Sequence, residues 1–229
     1  MNLRTVFAGF AILSLAGVAT VGLAARQPAT QKASPKAADL VHLASPKTEG
    51  GMGLSEALAR RRSIRSFTGR PLTQGQISQL CWAAQGITDE RGYRTAPSAG
   101  ATYPLRVYVA GPDGVFQYLP EGHALERLSL KDIRNGVAEA SEQKWISRAG
   151  AIFLICGDVA ITAAKYRDRA TRYVWQETGH VAQNLLLQAT ALDLGATPVG
   201  ATDDAALAAL LDLPKPWQVM YVVPVGVPR

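Results

Sequence analysis

Cysteine, histidine and charge are all scarce in this chain. Two cysteines in 229 residues, Cys81 and Cys156, exclude a disulfide scaffold and any cysteine-rich zinc module. Each falls in an apolar stretch expected to be a core element, which reads as two buried free thiols rather than a bridge. The three histidines, His42, His123 and His180, show no metal-ligand spacing such as H-E-x-x-H, so no metal site is expected. Charged residues make up only 18% of the sequence and the net charge is +6. That excess is too small for the dense basic face of a nucleic-acid binder, and no nucleic-acid partner is expected. A G-x-S-x-G nucleophile elbow, a Walker A loop and a C-x-x-C pair are all absent. Gly50-Gly51-Met52-Gly53 is glycine-rich but does not follow a strand, so it is not a dinucleotide fingerprint. What is plentiful is apolar sequence, at 48%, enough to bury the core of one ordinary domain.

Residues 5–25 carry no charge, with Arg4 ahead of them and Arg26 behind. A short basic start, an apolar middle and the small residues Gly22, Ala24 and Ala25 read as a secretory signal over residues 1–25. The same length suits an uncleaved membrane anchor. Either way the chain is expected to be exported, to the periplasm or to the outer side of the inner membrane. Residues 26–53 scatter Pro28, Pro35 and Pro46 among Lys, Ala, Ser and Thr, the composition of a flexible linker. The folded domain is expected to span residues 54–229.

Within that span the pattern alternates. Residues 54–59 read as a short helix running into Arg60, Arg61 and Arg62. Thr73 with Gln76 three residues on is a capping box, opening a helix that Gly86 ends. Residues 106–110 and 115–119 are strand-like, split by the turn sequence Gly111-Pro112-Asp113-Gly114. Residues 131–139 read as helix, and 151–156 as a buried central strand. A long helix is expected over 170–194, with Val174, Val181, Leu185, Ala189 and Leu192 on one stripe. Asp203 caps a helix to about residue 211, and 219–225 form the last strand. Hairpin, buried strands and long helices together predict an α+β fold.

Four segments could carry chemistry. Arg61, Arg62, Ser63 and Arg65 place three guanidiniums and a hydroxyl within five residues, which suits a phosphate and equally suits a solvated helix end. Residues 94–104 set small side chains between Pro97 and Pro104, where backbone can approach a flat ligand or simply form a loop. Glu177, His180 and Asn184 fall three and four apart on one helix face, and a lone helical histidine there is more often structural than a base. Residues 195–200 are again small and backbone-rich.

In this order the segments resemble the FMN-dependent nitroreductase superfamily, and within it the SagB-type dehydrogenases. The resemblance rests on R-R-S-x-R-x-F at 61–67, W-A-A-Q-G-I-T at 82–88 and R-T-A-P-S-A-G-A-T-Y-P-L at 94–105. Lys165-Tyr166, G-H-x-x-Q-N at 179–184 and V-P-V-G-V-P at 223–228 follow. It implies a central mixed or antiparallel sheet wrapped by helices, and a homodimer with FMN at the subunit interface. It also implies that Arg61, Arg62, Ser63 and Arg65 hold the flavin phosphate and polar edge. Pro97, Ser98, Ala99 and Gly100 would lie against the flavin from the partner subunit. Pro198, Val199 and Gly200 would pass along the ring, and Arg229 would reach the phosphate. Lys165 and Tyr166 match the pair that azoline-oxidising relatives use as base and partner. The implied activity is hydride transfer between flavin and a small organic substrate. Such relatives work inside the cell, and NAD(P)H is scarce outside it, so export leaves the donor and acceptor open. The alternatives are an NAD(P)H-dependent nitro- or quinone reductase, a flavin-binding protein without catalysis, or an anion-binding surface module.

Overall fold

The computed structural model describes residues 40–229, so the expected signal or anchor and the first part of the expected linker lie outside the described residues. Seven strands form one antiparallel sheet in the order β1-β4-β3-β2-β5-β7-β6. They are β1 (Leu40–His42), β2 (Leu105–Gly111), β3 (Gly114–Leu119), β4 (Ala124–Ser129), β5 (Ala151–Gly157), β6 (Gly195–Ala196) and β7 (Gln218–Gly226). The helices are α1 (Leu54–Arg60), α2 (Gln74–Gln85), α3 (Arg134–Ala140), α4 (Val159–Tyr166), α5 (Ala170–Ala191) and α6 (Asp204–Leu210).

The central strand explains the layering. Every residue of β5 is buried, because helices cover both faces of the sheet. Side chains alternate across a strand. Phe153 and Ile155 therefore join a core with Leu80 of α2 and Val181 and Leu185 of α5. Ile152, Leu154 and Cys156 join a second core with Val137 of α3 and Leu207 of α6. Cys81 and Cys156 are both free and buried, and burial pushes both thiols up. The helix signals hold in detail. Thr73 Oγ1 accepts from Gln76 N at 3.2 Å while Gln76 Oε1 accepts from Thr73 N at 2.9 Å. Asp203 accepts from Ala206 N at 3.0 Å.

Three elements depart from the sequence expectation. Within the stretch 26–53 expected as linker, residues 40–47 are tied to the folded chain. Leu40, Val41 and His42 pair with Glu126, Leu125 and Ala124, making β1 the edge of the sheet. Lys47 N then donates to Gln79 Oε1 at 2.9 Å and Lys47 O accepts from Gln79 Nε2 at 3.0 Å, which lays the chain on α2. The folded chain thus includes residues from Leu40, not from Leu54. β4 carries Glu126 and Arg127, charges that hid its two buried residues Ala124 and Leu125. α4 fills a stretch to which the sequence pattern assigns no element, and Asp158 caps it by accepting from Ala160 N at 2.9 Å.

Candidate functional site

The expected site residues fall into two groups. The first surrounds the end of α1. Arg61 N closes the helix on Ala57 O at 2.9 Å. Arg62 turns back, its Nη1 donating to Ala59 O at 3.0 Å and to Arg61 O at 2.7 Å. A cation there satisfies carbonyls that a helix end leaves open. The chain then runs beside β6: Ser63 bridges Ala196, Ile64 N donates to Ala196 O at 3.1 Å, and Thr197 Oγ1 donates to Ile64 O at 2.7 Å. Gly195 permits this approach, since a Cβ there would stand 2.6 Å from Ile64 Cγ2. Val199 is fixed in turn by paired backbone bonds to Val222 at 2.8 and 3.1 Å, with Pro198 before it half-buried and Gly200 after it exposed. On the other side the C-terminus pairs with the same segment. Thr68 N donates to Val227 O at 3.0 Å, and Arg229 N to Ser66 O at 3.1 Å. The fold thus brings Arg61, Arg62, Ser63 and Arg65 together with Pro198, Val199 and Gly200 and with Arg229.

The charges in this group are not equivalent. Arg60 is engaged by Glu56 at 3.1 Å and Asp193 at 2.8 Å, and those partners raise its pKa. Among the described residues, no carboxylate forms an ion pair with Arg61, Arg62 or Arg65. Three guanidiniums without carboxylate partners among the described residues, beside the exposed Ser63, are a donor set that fits a phosphate monoester such as that of FMN.

The second group is built on the loop between α2 and β2. Two side chains of α5, two turns apart, hold it. Glu177 Oε1 accepts from Ala99 N at 2.8 Å, and Asn184 Nδ2 donates to Thr95 O at 3.3 Å. Ser98 Oγ accepts from Tyr103 N at 2.9 Å, and Thr102 Oγ1 meets Thr162 Oγ1 of α4 at 2.9 Å. Pro97 stands exposed at the loop's shoulder. Gly100 has φ +58°, and a Cβ on it would lie 2.5 Å from Lys165 Nζ and 2.6 Å from the Tyr166 hydroxyl. Lys165 and Tyr166, in the last turn of α4, are therefore brought against the same loop as Pro97, Ser98, Ala99 and Gly100. Tyr166 is steadied edge-on by Tyr173, ring centres 5.2 Å apart. The Glu177 carboxyl is buried, which raises its pKa, while the Ala99 N–H and Ser98 pull it down. Of the polar face Glu177, His180 and Asn184, the first and third secure the loop and His180 stays exposed. The seven-residue spacing of Glu177 and Asn184 was the available signal for that role.

Comparison with known proteins follows the same outline. The signature of the nitroreductase family matches residues 58–227. A nitroreductase-like protein of Methanocaldococcus jannaschii, MJ1384, is 40% identical over 180 residues, 76% of this chain and 90% of its own. The trifolitoxin operon protein TfxC of Rhizobium leguminosarum bv. trifolii is 27% identical over 75% of this chain and 54% of its own length. A nitroreductase-like crystal structure from Ralstonia eutropha superposes with TM-score 0.77 at 27% identity, covering 83% of this chain and 90% of that one. The NADPH:FMN oxidoreductase of Vibrio harveyi shares the fold at TM-score 0.58 and 22% identity, over 76% of this chain and 68% of that one. This chain belongs to the nitroreductase family of oxidoreductases.

Proposed function

We propose that the protein is an exported FMN-dependent oxidoreductase of the SagB-type branch, working as a homodimer on a small organic substrate. The division of the site into two groups carries this reading. The segment that carries Arg61, Arg62 and Arg65 makes its tertiary contacts with β6 and the C-terminus, through residues 63–68, whereas Ala99 and Gly100 of the second group meet α5 and α4. A cofactor held at its phosphate by one group and flanked at its ring by the partner's second group would join them across a two-fold interface. The match to TfxC supports the branch, and the likeness to an NADPH:FMN oxidoreductase of Vibrio harveyi supports the flavin.

Bound FMN would supply the two-electron redox couple, giving or taking hydride. The chain supplies position and proton traffic. Arg61, Arg62, Arg65 and Ser63 anchor the anionic end. Gly100 leaves Lys165 Nζ and the Tyr166 hydroxyl room to stand against the loop backbone, from where they would face the reacting ligand. Those two groups would hold or move the proton that accompanies hydride transfer. Flavin reduction followed at its visible band tests the reading. Lys165→Ala should slow it by ~100-fold with FMN still bound, as for loss of a general base. A protein that binds FMN and stays oxidised with every donor would be a flavin carrier instead.

A further inference from the structure

A cavity of about 270 Å³ lies among the end of α2, strands β2 and β3, the Pro120–Gly122 turn, α4 and Trp217 just before β7. It touches neither the Arg61 segment nor the C-terminus. Its walls carry two guanidiniums, Arg94 and Arg106, and one carboxylate, Glu121. Arg94 lies over the Tyr103 ring at 4.4 Å, and its Nη1 donates to Gln85 Oε1 at 3.0 Å. Its Nη2 donates to Glu121 Oε1 at 3.1 Å, while its Nε is buried with no partner among the described residues. Nε and Nη2 form the guanidinium edge that grips a carboxylate through two parallel hydrogen bonds. Glu121 uses only half of it, through one oxygen, and its side chain is 71% exposed against 13% for Arg94. A buried donor left without a partner is rare in folded proteins and calls for a ligand or a reason. Arg106 stands over Trp217 at 3.9 Å. Leu105, Val107 and Ile161 supply apolar wall.

We propose that this cavity binds a small organic carboxylate. Its carboxylate would sit on Arg94 and Arg106 in place of Glu121, and its apolar body against Leu105, Val107 and Ile161. The volume is just under the ~300–1,000 Å³ of sites for drug-sized ligands, which limits the occupant to about one ring or a short chain. Position gives the site a consequence. Arg94 and Tyr103 sit at the two ends of the loop whose Gly100 faces Lys165 and Tyr166, and Ile161 is one turn before Lys165 on α4. A bound carboxylate would brace that loop from its far side. The inference does not depend on the flavin.

Calorimetric titration of the full chain with benzoate, and with benzamide as its neutral counterpart, tests it. Benzoate should bind one site per chain at least tenfold tighter than benzamide. Arg106→Gln should weaken benzoate by about tenfold, roughly the loss of one charge-assisted bond, and leave benzamide unchanged. Glu121→Gln should tighten benzoate about threefold by removing the competing carboxylate. Arg94 also ties Gln85 to the loop, so the two variants chosen spare it. Benzoate binding no tighter than benzamide, or unchanged in both variants, would make the guanidiniums structural and overturn the proposal.

Discussion

Gly100 is where the proposed chemistry is most exposed to test at the residue scale. Its φ of +58° and the closeness of Lys165 Nζ both argue against a side chain. Gly100→Ala should cost about 1–2 kcal/mol of stability from the left-handed backbone. It should also push Lys165 and Tyr166 out of place. The expected result is a folded protein whose flavin reduction falls by more than tenfold, read by stopped-flow absorbance beside a melting curve. A rate equal to wild type would detach the pair from catalysis. The arginines separate in the same way. In sequence, Arg60, Arg61 and Arg62 are one run, and only the family resemblance, whose motif begins at Arg61, sets Arg60 apart. The fold ranks them through tertiary partners, because Asp193 lies far along the chain from Arg60 yet meets it at 2.8 Å. Arg60→Ala should therefore leave FMN affinity within about twofold, since its charge is already engaged by exposed partners. Glu177 was legible as part of a polar helix face, but not as the acceptor for Ala99 N, because that contact depends on where the loop lands.

At the scale of elements, local signals with a physical mechanism were readable and tertiary ones were not. The capping box at Thr73, the hairpin at residues 111–114 and the all-apolar β5 each announce themselves within a few residues. β1 does not: three residues in a proline-marked stretch become a strand only because β4 offers an edge. Its closure involves a polar knot. Ser78 Oγ donates to Ala44 O at 2.6 Å and meets His123 Nε2 at 2.8 Å, while His123 Nδ1 meets the Tyr118 hydroxyl at 2.8 Å. A chain starting at Gly50 loses β1 and the Lys47–Gln79 bonds. It should melt at least about 5 °C lower than a chain starting at residue 35, at ~2–4 °C per kcal/mol for a domain of this size. Equal melting temperatures would return the stretch to linker. Burial lowers the pKa of His123 in the fold. The unfolded chain then binds more protons below its ordinary value near ~6.5. The stability that neutral His123 contributes is thus full above that pH and lost as pH falls through the lower folded value. Denaturant titrations at a series of pH values between 7.5 and 5 should show this loss, and His123→Gln should flatten it. An equally steep loss in the variant would assign the pH dependence to other groups.

For the whole molecule, the sheet is the frame that brings distant segments to one place. β5 sends alternate side chains into two cores, so Phe153→Ala should cost about 3–5 kcal/mol by emptying one of them. The same antiparallel order sets β6 and β7 at one edge, where the Arg61 segment and the C-terminus meet them. An α+β class followed from the alternation of patterns, but strand order did not, since no local feature says that β4 lies between β1 and β3. Sedimentation at micromolar concentration should give twice the chain mass if each flavin site draws on two subunits. The most direct measurement is equilibrium titration of the purified full chain with FMN, read by quenching of flavin fluorescence, with riboflavin in parallel. One FMN per chain should bind, riboflavin should bind poorly, and Arg62→Ala and Arg65→Ala should each weaken FMN by tenfold or more. That magnitude is what ~1.5–3 kcal/mol per charge-assisted bond to phosphate requires. A protein that takes up no FMN, or that binds FMN and riboflavin alike with and without Arg65, would contradict the assignment of the Arg61 segment to the flavin phosphate.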